Sequence, residues 1–174
     1  MNLNRKSIKD RIYLRNMEKE KLLKELREEF DNLKKELNFN STFEEVDSVS
    51  FIEDMALATR YISPRFSRQL INRMIESFYA WIGTMHQWLM PNPQDMIFMS
   101  EANKLGEEEK KEITRIISKI MYFVRKNKRI AFEDKRIEEG KLIDELVEFD
   151  KNEFTPAMTK YHKKFESDWK NSIK

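Results

Sequence analysis

From Phe66 to Leu89 the apolar side chains return every three or four residues: Phe66, Leu70, Met74, Phe78, Trp81, Ile82, Met85 and Leu89. That period belongs to one face of an α-helix, whereas a half-buried strand would need strict alternation. No run of β-branched residues alternates with polar ones, and only three Gly and four Pro interrupt the 174 residues. A chain patterned in this way buries its apolar surface by packing helix on helix. The expected fold is all-α, a single-domain helical bundle of about five to seven helices. Residues 1–38 are expected to form a long charged N-terminal helix able to project, and residues 39–174 the body of the bundle.

Within the first segment Leu23, Leu26, Phe30, Leu33 and Leu37 repeat at alternating three and four, a heptad seam two heptads long. Upstream the seam meets Lys19 and Asn16. Either the first turns project as an arm, or a different face carrying Ile8, Ile12 and Leu14 packs there. A short antiparallel coil with another helix of the same chain fits so brief a seam better than a dimeric coiled coil.

Start and stop signals divide the rest. Thr42 with Glu45, and Ser50 with Glu53, have the spacing of a capping box, and a second helix should end near Ile62. Ser63–Pro64 opens a third helix running to about Met90. Asn92–Pro93 opens a short helix ending near Lys104, with Asp95 in its first turn. Gly106 precedes a long helix that begins with Glu107, Glu108 and Glu109 and is expected to reach Glu139, with a bend at Gly140. Leu142, Ile143, Leu146, Val147 and Phe149 then form a shorter apolar helix. Thr155–Pro156 begins the last one, with Met158, Tyr161, Phe165, Trp169 and Ile173 on one side.

The long helix carries the clearest charge pattern. Arg115, Lys119, Tyr122, Lys126, Arg129, Glu133 and Arg136 fall four, three, four, three, four and three residues apart, forming one stripe in which five positions are cationic. Ile113, Ile116, Ile117, Ile120, Val124 and Ala131 lie opposite. The stripe would span about 30 Å at ~1.5 Å per residue, comparable to several phosphates of a nucleic-acid strand, and Tyr122 could stack on a base. Arg115, Lys119, Tyr122, Lys126, Arg129 and Arg136 are therefore candidate nucleic-acid contacts, with Arg65, Arg68 and Arg73 as a second set. The alternative is internal pairing. Eight cationic residues face two acidic ones between 113 and 136, two face seven between 137 and 155, and none faces five between 39 and 54. Sign reversal between neighbouring segments is what basic helices packed beside acidic ones would show. On this reading Arg60, Arg65, Arg68 and Arg73 pair with Glu44, Glu45, Asp47, Glu53 and Asp54.

A third feature is the connection from Trp88 to Met99, Trp-Leu-Met-Pro-Asn-Pro-Gln-Asp-Met-Ile-Phe-Met. Loops are usually polar, and adaptable Met and Trp side chains in an exposed one mark a docking surface. Trp88, Met90, Met96, Phe98 and Met99 are the candidate protein-binding residues. Ala80 and Gly83, small residues on the polar side of the preceding helix, suggest close approach of a further helix.

Catalytic chemistry is not invited. Neither of the two histidines, His86 and His162, follows a Glu at the Glu-x-x-His spacing. There is no Gly-rich phosphate loop, no Gly-x-Ser-x-Gly and no His-x-x-x-His. Cysteine is absent, so disulfides, thiolate metal sites and a Cys nucleophile are excluded. No catalytic residue, metal or cofactor is expected, and no apolar run reaches the length of a membrane span. With a net charge of only +2, the expectation is a non-enzymatic cytoplasmic binding protein, an accessory or adaptor subunit of a protein assembly. The alternative is a nucleic-acid backbone binder within a ribonucleoprotein.

Overall fold

The computed structural model describes the backbone of residues 8–173 and the side chains of 16–173. Among the described residues the chain is all-α, with nine α-helices, one π-helical turn and no strand. The helices are α1 (Ile8–Leu37), α2 (Phe43–Ser50), α3 (Ile52–Thr59), α4 (Phe66–Tyr79), α5 (Ile82–Leu89), α6 (Met96–Ala102), α7 (Glu107–Glu133), α8 (Arg136–Phe149) and α9 (Thr155–Ser172). The π turn, Asp150–Phe154, joins α8 to α9.

The centre of the bundle is the pair α4 and α8. Helix α4 packs against α2, α7 and α8, and α8 packs also against α1, α2 and α7. Phe78 of α4 meets Phe149 and Phe154 edge-on at 5.2 and 4.9 Å between ring centroids, and Phe123 of α7 lies 5.3 Å from Phe149. Rings in these geometries add about 0.5–1.5 kcal/mol per pair beyond the area they bury. One contiguous cluster of buried side chains extends from Leu26 to Phe165. Leu26, Phe30, Leu33 and Leu37 of the heptad seam are buried in it, where α1 packs on α3 and α8 of its own chain. The suggested packing of Ile8, Ile12 and Leu14 lies outside the described side chains.

Several expected boundaries hold. The Thr42 hydroxyl accepts from the Glu45 amide while the Glu45 carboxylate accepts from the Thr42 amide. Gly106 is the N-cap of α7. Other boundaries move. The second helix breaks at Phe51, which takes a left-handed conformation (φ 51°), so Ser50–Glu53 forms no capping box and the Glu53 amide donates to Asp47 instead. Asn92–Pro93 makes a turn, and Asp95 caps α6 by accepting from the amides of Ile97 and Phe98.

The third predicted helix is interrupted between Tyr79 and Ile82. That break re-phases the chain. Trp81 is turned toward solvent, Met85 and Trp88 turn inward, and Ala80 and Gly83 are exposed with open space around Gly83, so no helix approaches there. Helix α7 stops at Glu133, closed by Asp134 in a left-handed conformation, which puts Arg136 on α8 and leaves Ala131 exposed.

Gly140 is no bend: α8 runs straight through it. A Cβ there would collide with the carbonyl oxygen of Leu37, so the glycine lets the end of α1 lie against α8. Helix α9 begins at Thr155 with Pro156 in its first turn, as expected, but no break precedes it. The backbone stays right-handed helical from α8 through the π turn into α9, and the Thr155 hydroxyl donates to Asp150 at 2.9 Å.

Candidate functional site

The cationic stripe is a seam between α7 and its neighbours. Arg115 and Lys119 both bond the Glu153 carboxylate of the π turn. Lys126 donates to both oxygens of Glu145 at 2.7 and 2.6 Å. Arg129 bonds Glu133 and, at 2.7 Å, Glu138. Arg136, now on α8, reaches back to Glu36 of α1 at 2.8 Å. Every cation of the stripe thus has a carboxylate partner. Tyr122 remains exposed, with the Lys126 ammonium 5.7 Å from its ring centre.

The proton affinities follow from these contacts. Burial pushes against the charged form of Lys126, but the Glu145 carboxylate outweighs it and its pKa is raised. Burial likewise opposes ionisation of Glu153, yet the bonds from Lys119 and Arg115 leave it lowered. Arg129 is raised, chiefly by its bond to Glu138. Glu138, Glu145 and Glu153 are therefore counter-charges of the long helix. Sequence neighbours of opposite sign have become partners across a helix hairpin.

The arginines of α4 are paired differently from the sequence expectation. Arg68 lies 3.4 Å from Glu139, a buried carboxylate that also accepts from the Ser67 hydroxyl at 2.6 Å. Arg73 pairs with Glu76, and Arg60 with Glu18. The acidic segment 39–54 is neutralised elsewhere: Arg27 binds Glu44 and Glu53, and Lys151 binds Glu45. Helix α2 lies along α4 with its acids turned toward α1 and the π turn, so the α4 arginines look past it.

The apolar connection divides into a buried root and an exposed tip. Trp88 is only 1% exposed, and its indole N–H donates to Glu101 at 2.9 Å, which removes it from any docking surface. Phe98 packs against the core and Met99 is half-buried. Met90 and Met96 stand out at 69% and 83% exposure. Ile97, at 59%, joins them and was not singled out in the sequence. Trp169 of α9 arrives at the same place, donating to the other Glu101 oxygen at 3.1 Å while staying partly exposed. The signal for Ile97 was its position one turn before Glu101. For Trp169 it was an apolar stripe continuing beyond the turns of α9 that face the core.

His162 lies edge-on to Trp81 and Trp88, at 5.3 and 5.7 Å, at the rim of an open depression floored by Phe154 and Met158. His86 is exposed on α5. Among the described residues no three His, Asp or Glu side chains gather as metal ligands, and no helix is long and apolar enough to cross a membrane. The most isolated titrating groups are structural: Tyr161 is buried, donates to Glu112 at 2.6 Å and has its pKa driven upward, first by burial. Comparison with known protein families, with curated proteins and with solved structures gives no match to this chain.

Proposed function

We propose that this protein is a non-enzymatic binding protein, an accessory or adaptor subunit that engages a protein partner through the apolar tip of α5 and α6. The single observation carrying this reading is the exposure of Met90, Met96 and Ile97 on one short connection, with the partly exposed Trp169 tied to the same helix at Glu101. Scattered exposed apolar residues need no explanation, but several on one short connection and the helix tied to it form a patch. Met side chains adapt to a partner's shape, and an indole with one edge fixed by Glu101 offers a rigid ring at low entropic cost. The patch sits on rigid supports, because Trp88 and Phe98 anchor both ends of the connection in the core.

The test compares affinity-tagged wild type with Met96→Asp and Ile97→Asp in crosslinking and co-purification from the native cell. A partner enriched by wild type and lost with both substitutions, while circular dichroism melts stay superimposable, is the expected result. Retention of the same partners by both variants sinks the proposal.

A further inference from the structure

Pairing of the stripe leaves a different set of cations in solvent. Arg125 and Lys128 of α7 and Arg65 at the start of α4 are exposed, and no carboxylate partner is found for them among the described residues. Arg125, Lys128 and Phe132 are three and four residues apart and form one ridge, turned away from α8. Phe132 is 89% exposed, the most exposed large hydrophobic side chain among the described residues. Lys128 lies one step of about 100° around α7 from Asn127, whose amide donates to Asn72 of α4 at 2.9 Å and whose carbonyl oxygen accepts from Arg68 at 3.5 Å. Arg65 lies one turn before Arg68. Acid is scarce here, with none on α7 from Ile113 to Phe132 and only Glu76 on α4.

We infer that this α4–α7 flank binds the backbone of a single-stranded nucleic acid. Arg125, Lys128 and Arg65 contact phosphates and Phe132 stacks on an unpaired base. The ridge from Arg125 to Phe132 covers about 10 Å at ~1.5 Å per residue, room for two phosphates and one base. Asn72 and Gln69 add neutral hydrogen-bonding groups along the same α4 face. A base has two flat sides and meets an exposed ring without needing a groove. An anionic lipid surface fits less well, because the ridge offers a single large apolar side chain, Phe132, to insert into it. The inference is independent of the apolar tip, which lies on other elements.

The experiment is fluorescence anisotropy with labelled mixed-sequence 20-nucleotide RNA and DNA single strands on the full chain, with vesicles of neutral and anionic phospholipid in parallel. Three phosphate contacts predict an affinity loss on the order of 20-fold between 50 and 200 mM salt. Arg125→Gln with Lys128→Gln should weaken binding at least tenfold, and Phe132→Ala at least about fivefold. Lys119→Gln and Met96→Asp should leave it unchanged, since the first cation is already paired and the second residue belongs to the tip. All these positions are at least partly exposed, and thermal melts check that each variant folds. No binding at 50 mM salt, equal weakening by Lys119→Gln, or preference for anionic vesicles over RNA would each overturn the inference.

Discussion

The α7–α8 seam and the α5–α6 connection are both unusual in sequence, one through charge and the other through apolar residues, and the fold treats them in opposite ways. Along the seam each cation finds a carboxylate, through Glu153, Glu145, Glu138 and Glu36. At the connection only the root is covered, and Met90, Met96 and Ile97 stay in water. Reach explains part of the difference. Lys, Arg and Glu have long flexible side chains that meet across a helix pair, so complementary charge closes on itself wherever two helices run side by side. A helix as short as α6 packs chiefly against α5 and leaves Met96, Ile97 and Ser100 exposed. Charge conspicuous in sequence is thus weak evidence of a binding face, and apolar residues on a short, one-sided helix are better evidence.

The sharpest way to break this comparison is at Trp88. Truncation to Ala should cost about 3–5 kcal/mol in urea unfolding, because a fully buried indole is lost and Glu101 loses one donor. If Trp88→Ala were as mild as Met96→Ala, the division into buried root and exposed tip would be wrong. Gly140→Ala should cost about 1–3 kcal/mol by forcing α8 away from Leu37, read in the same assay.

Next in size, Lys126→Glu should destabilise by about 1–2 kcal/mol by facing Glu145 with like charge, and the exchange Lys126→Glu with Glu145→Lys should restore most of the loss. Failure of the exchange to rescue would mean that the seam is held by packing alone. Acid should act more gently, on Glu153 of this seam and on the ion pairs that tie α2 to the π turn and α7 to α9. The pKa values of Glu45, Glu109, Glu112 and Glu153 are lowered from the ordinary 4.5 by their Lys and Arg partners. Their contribution is complete above the unfolded value and fades as pH falls below it toward the folded values. Melting temperature should therefore decline below about pH 4.5, and added salt should blunt the decline. Asp150, raised by burial, works against this trend as it takes up its proton. Smallest of all, Met96→Asp should shift stability by less than about 0.5 kcal/mol, while abolishing partner capture.

Much of the architecture was legible from local chemistry. The Thr42–Glu45 box, the Gly106 start and the buried seam of α1 all follow from side chains acting within one or two turns. The breaks at Phe51 and Asp134 were not legible, because both use non-glycine residues in a left-handed conformation. Such a residue costs only about 1–2 kcal/mol, an amount that packing elsewhere can outweigh without leaving a compositional trace. The interruption at Ala80 and Trp81 had the largest consequence for the candidate site. A continuous helix would bury Trp81 on the stripe it shares with Met85 and Trp88, whereas the interrupted chain keeps those two buried and turns Trp81 toward solvent. The π turn was equally hidden, although it positions both Lys151 and Glu153 for their partners.

The sequence by itself determined that this protein is helical, where α2, α7 and α9 begin, and which stripes are apolar or charged, since those depend on the 3.6-residue period and on capping within single turns. Only the tertiary structure decided which charges are spent. Whether Lys126 or Lys128 remains available depends on whether α8 or open water lies beside it, and that is set by the relative rotation of two helices rather than by the residues of either one. Two steps of about 100° around α7 separate the paired Lys126 from the exposed Lys128.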